Sequence, residues 1–99
     1  MATLAEITFE NECRSKDTKT RAAGFLTLRS GEVYERQYSH SSHVFLIMES
    51  AKWSAWRETW QQGKSKSISH KLIISSASFD MALLKARQYI EYVTGGGKR

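Results

Sequence analysis

Apolar and polar residues alternate along much of the chain. From Leu4 to Cys13, Ala5, Ile7, Phe9 and Cys13 fall on one side and Glu6, Thr8, Glu10 and Glu12 on the other. A period of two is that of a half-buried strand. The three glutamates on its wet side would repel phosphates and guard a sheet edge against unwanted pairing. Arg14–Thr20 follows with no apolar residue. It reads as a loop, either a solvated linker or a basic arm able to grip phosphate.

Two β-prone runs then flank Ser30-Gly31, a two-residue hairpin turn. If Arg29 pairs with Glu32 across it, Leu28 opposes Val33, and Leu26 shares their side, which is expected to face the core. The other side carries Phe25, Thr27, Tyr34, Arg36 and Tyr38. Aromatics beside an arginine can stack bases and hold phosphate, or they can pack under a helix or in a dimer interface. One extra residue in the turn changes which side chains share a face.

Ser39–His43 is a polar connector whose His40 and His43 read as solvent histidines. Val44–Met48 is a continuous apolar run, consistent with a buried strand. In Ser50–Gly63 the residues Trp53, Trp56 and Trp60 would lie within an arc of roughly 60° on a helix. Ser50 is the expected N-cap and Gly63 the terminator. The tryptophans are assigned to the core, as the cover of the sheet. Residues 67–75 alternate again as a strand. Beyond Ser76–Ser78 the residues Phe79, Leu83, Ala86, Ile90 and Val93 trace one stripe of a helix that Gly95 stops. The expected fold class is α+β, an antiparallel sheet of four to five strands with two helices packed on one face. The expected element order is β-β-β-β-α-β-α. Residues 1–94 form the expected domain and 95–99 a basic tail.

Composition narrows the functional classes. The chain has 99 residues, 40% hydrophobic and 11% aromatic, enough for one modest core. Cys13 stands alone, so no internal disulfide forms and a reducing, cytoplasmic setting is expected. The opening M-A-T-L-A-E lacks the basic and apolar regions of a signal peptide. The longest apolar run is far short of a membrane span. The net charge is +5, and its distribution is lopsided. Residues 1–50 carry six Lys/Arg against seven Asp/Glu, and residues 51–99 carry nine against three. A one-sided positive field favours polyanion partners.

No nucleotide-binding, zinc-protease, nucleophile-elbow or C-x-x-C spacing is present, so neither an enzyme nor a cofactor is expected. The leading expectation is a small basic nucleic-acid-binding protein, with single-stranded DNA or RNA favoured. Phe25, Tyr34, Arg36 and Tyr38 would form its stacking surface, and Lys64, Lys66 and Lys71 its electrostatic rail. The alternative is a protein-binding module or inhibitor, of the kind encoded by phages and mobile elements. It would act by surface complementarity on an acidic or nucleic-acid-associated protein, or as a homodimer.

Overall fold

A computed structural model describes residues 3–60 and 67–95. The chain runs α1 (Leu4–Ala22), β1 (Leu26–Arg29), β2 (Val33–Gln37), β3 (Ser42–Glu49), β4 (Lys52–Trp60), β5 (Ser67–Ala77) and α2 (Phe79–Val93). The five strands form one antiparallel sheet in the order β1-β2-β3-β4-β5. The α+β class, the antiparallel sheet and the two helices are as expected. The element order is not, because the first and fifth elements exchange their types.

Residues 4–22 are helical rather than a strand and a loop. Thr3 caps the helix, accepting from Glu6 N at 3.1 Å while its hydroxyl reaches the Glu6 carboxylate at 3.2 Å. The segment is rich in Leu, Ala, Glu, Lys and Arg, which favour helix. Its alternation between Leu4 and Cys13 is a coincidence of the polar pattern. Only the second half of α1 is anchored. Leu4, Ile7 and Phe9 stay exposed, whereas Thr20 is fully buried.

The tryptophan stretch is strand β4 rather than a helix. Ser50 and Ala51 both have positive φ, 52° and 65°. This tight turn folds Lys52 back against Glu49. On a strand, residues three apart point to opposite faces. Trp53 therefore lies in the core at 3% exposure, and Trp56 lies half-buried on the other side. The expected terminator Gly63 lies outside the described residues.

Both helices use the face that carries Tyr34, Val44, Leu46, Trp53 and Ala55, and α2 adds Ala82, Leu83, Ala86 and Ile90. Ser78 caps α2, accepting from Met81 N at 3.2 Å. Polar contacts pin α1. The Tyr34 hydroxyl donates to Asp17 at 2.6 Å and accepts from Gly31 N at 2.7 Å, and Ser30 Oγ donates to Asp17 at 2.5 Å. Burial raises the Asp17 carboxyl's affinity for protons. Hydrogen bonds from Ser30, Tyr34 and Gly31, with Arg21 nearby, outweigh that and hold its pKa below the usual carboxylate range. Burial first, and then the bond to Asp17, push the Tyr34 hydroxyl well above the usual phenol range. Gly31 has φ +76°, and a Cβ there would overlap Cys13 Sγ. Further along the helix, Lys16 Nζ lies 5.6 Å from the Phe79 ring centre and Lys19 pairs with Asp80 at 3.4 Å.

Candidate interface on the open face of the sheet

The residues expected to form a stacking surface lie on the covered side. Thr27 pairs with Tyr34 and Leu26 with Glu35, which is the anticipated register. An irregularity at Leu28 then sets Arg29 opposite Val33. Phe25 and Tyr34 do share a side of the hairpin, but that side is under the helices, and they are 2% and 0% exposed. Tyr34 stacks on Trp53 at 6.0 Å and meets the edge of Phe79 at 6.4 Å. Leu26 and Leu28, expected in the core, are 66% and 54% exposed. The physical reason is coverage: the helices seal whichever face they land on, and strand periodicity alone is symmetric between the two.

Arg36 and Tyr38 also serve the covered side. Arg36 Nη1 donates to Ala23 O at 2.9 Å, just past the end of α1, where a cation complements the helix dipole. Tyr38 packs edge-on against Tyr89 at 6.4 Å. Burial first, with Tyr89 adding to it and Ser42 and Arg57 opposing, raises its hydroxyl pKa. Lys71 is exposed on β5, opposite Arg57. Lys64 and Lys66 lie outside the described residues. Lys71 lies in one cross-strand row with Arg57, Val44 and Arg36, on the helix side of the sheet, at the edge opposite to the hairpin.

Among the described residues no helix lies over the opposite face. Its register is continuous from edge to edge: Leu26 pairs with Glu35, Glu35 with Phe45, Phe45 with Trp56, and Trp56 with Leu72. A second row runs Gln37, His43, Glu58, His70. Neither row contains Lys or Arg. A third row runs Arg29, Val33, Ile47, Ser54, with Arg29 at its outer end bonded to Glu32 at 3.5 Å.

Aromatic contacts knit this face together. His43 stacks on Phe45 at 6.3 Å, and Phe45 meets Trp56 at 6.5 Å. Two of its acidic groups have partners within the face. His43 Nδ1 sits against Glu35 Oε2, an ion pair when the imidazole is protonated. The Trp56 indole donates to Glu58 at 3.0 Å. Trp56, Glu58, His70 and Leu72 line a shallow depression near the β5 margin.

Sequence reasoning missed Phe45 and Trp56 as residues of this face, since it placed the first in a buried run and the second in a helix, while His43, read as a solvent histidine of a connector, lies half-buried on β3. Among the described residues no three His, Cys, Asp or Glu side chains gather as a metal site, and no helix is long and apolar enough to cross a membrane. No family model matches the chain, and no curated protein or solved structure matches it either.

Proposed function

We propose that the chain is a non-catalytic protein-binding module whose contact surface is the open face of the sheet, occupied by a second copy. The observation that carries this reading is the row Leu26, Glu35, Phe45, Trp56, Leu72, apolar apart from a glutamate already paired with His43. Two central rows without Lys or Arg, in a chain of charge +5, let two copies approach on this side with little repulsion. A phosphate backbone would instead meet Glu35 and Glu58 there. Five strands about 4.8 Å apart present a face roughly 20 Å across. Two such faces stacked about 10 Å apart would bury on the order of 1,000 Å² in all, the lower bound of a stable interface.

Nucleic-acid binding is the second reading. It is favoured by the exposed Lys71 and by the positive excess of residues 51–99.

Sedimentation velocity across a concentration series tests the first reading. The expected result is a reversible dimer that Trp56→Glu converts to monomer with its circular dichroism unchanged. Titration of single-stranded DNA, RNA and duplex at two salt concentrations tests the second. A wild-type monomer that binds nucleic acid with a steep salt dependence, insensitive to Trp56→Glu, would overturn the first reading in favour of the second.

A further inference from the structure

We infer that the free edge of β5 is a binding site for an extended acidic peptide strand, gripped through its carboxylates by Lys71 and Arg57. Among the described strands the sheet order leaves β5 with a single neighbour. It is the longest strand, 11 residues, and has no carboxylate and no proline between Ser67 and Ala77. Natural sheets usually shorten, charge or bulge such edges. The opposite edge does so: β1 has 4 residues, an irregular register at Leu28 and an Arg29–Glu32 pair at its end. On β5 the pairing is regular from Ser69 to Leu72. The register shifts near Ile74 and Ala77, and Ser76 with φ 54°, confine a docked strand to that stretch.

Charge selects the occupant. Arg57 and Lys71 are direct cross-strand partners, and like charges in that position oppose pairing. Neither has a carboxylate within ion-pair distance among the described residues. Among the described residues the half-buried Arg57 reaches neutral hydroxyls, Ser69 Oγ at 2.7 Å and Tyr89 at 3.4 Å, and its Nε has no hydrogen-bond partner there. A strand laid along β5 would set a carboxylate beside Lys71 on the helix side of the sheet. On the open side it would meet Leu72, 60% exposed, next to Glu58, which disfavours an acid there. The ligand is therefore a strand that alternates acidic and apolar residues. Its main chain pairs with β5, and its side chains supply the specificity.

Fluorescence anisotropy with a labelled Val-Glu alternating peptide tests this, against Val-Gln and Val-Lys peptides and a single-stranded oligonucleotide. The expected result is binding of the Val-Glu peptide at least about tenfold tighter than either other peptide. Lys71→Glu removes that preference without lowering the melting temperature, because it replaces a like-charge pair with an opposite one. Lys85→Glu, at an exposed position on α2, leaves the preference intact. Amide exchange at Ser69–Leu72 slows when the Val-Glu peptide is bound. Equal affinity for the three peptides, an affinity weaker than about 1 mM, or indifference to Lys71→Glu would overturn the site. Lys71-dependent binding of the oligonucleotide without binding of the peptide would assign the two cations to phosphate instead.

Discussion

The two faces of this sheet carry similar side chains and have opposite fates. One presents Tyr34, Val44, Leu46 and Trp53 and is sealed by α1 and α2. The other presents Leu26, Phe45, Trp56 and Leu72 and is sealed by nothing in the described chain. The polar groups differ in what they hold. On the covered side they fasten helix to sheet: Asp17 to Tyr34, Ser30 and Gly31, and Arg36 to Ala23. On the open side they pair with neighbours in the same plane, Glu35 with His43 and Glu58 with Trp56. The covered face is thus completed by the chain itself. The open face pairs Glu35 with His43 and Glu58 with Trp56 within its own plane and leaves its apolar side chains uncovered by any described helix.

The sharpest contrast is between two tryptophans on one strand. Trp53→Ala opens a cavity beside Tyr34 and Phe79 and should cost about 3–5 kcal/mol in urea unfolding. Trp56→Ala should cost the monomer about 1 kcal/mol or less. Equal losses would erase the distinction between the faces.

The next largest effect probes the anchor of α1. Gly31→Ala combines a left-handed backbone with an overlap at Cys13 Sγ, and it should destabilise by about 1–3 kcal/mol. A wild-type melting temperature in this variant would mean that Cys13 does not pack on the turn.

Asp17 sharpens the comparison through pH. Its folded-state pKa is depressed, so its contribution is fully present above the unfolded value of about 3.9. That contribution is lost as pH falls through the folded value. Wild type should therefore lose more stability than Asp17→Asn on acidification below about pH 4, as measured by denaturant titrations at stepped pH. Parallel curves for the two would remove the carboxylate from the clamp.

The smallest effect is at the β5 edge. Lys71→Glu turns the Arg57 cross-strand pair from like to opposite charge and should stabilise by about 0.2–1 kcal/mol. A destabilisation would show that the two cations do not repel in the folded protein.

Legibility in the sequence divided along physical lines. The hairpin, β5 and α2 could be read because each has one period and a recognisable boundary, such as Gly31 or Ser78, and β3 because its apolar run is unbroken. The first helix carried a usable sign, since Thr3 and Glu6 are spaced as a capping box. The competing alternation of Ala5, Ile7 and Phe9 hid it. Strand β4 was obscured because Trp53, Trp56 and Trp60 fit a helical arc, and because its turn uses Ser50-Ala51 in place of the glycine or asparagine that such a turn favours. The candidate surface was half legible. Phe25, Tyr34, Arg36 and Tyr38 do lie on one side, but which side is covered depends on where distant helices land. Periodicity within a strand is blind to that. Phe45 and Trp56 meet only because β3 and β4 are neighbours in register.

On the proposed reading one face is closed by the chain and the other by a second copy. Fluorine NMR of the protein labelled with 5-fluorotryptophan, over a dilution series, tests it most directly, with Trp→Phe variants to assign the signals. The Trp56 resonance should move with concentration while that of Trp53 stays fixed. A Trp56 resonance that is constant across the series, or a Trp53 resonance that moves instead, would contradict the account.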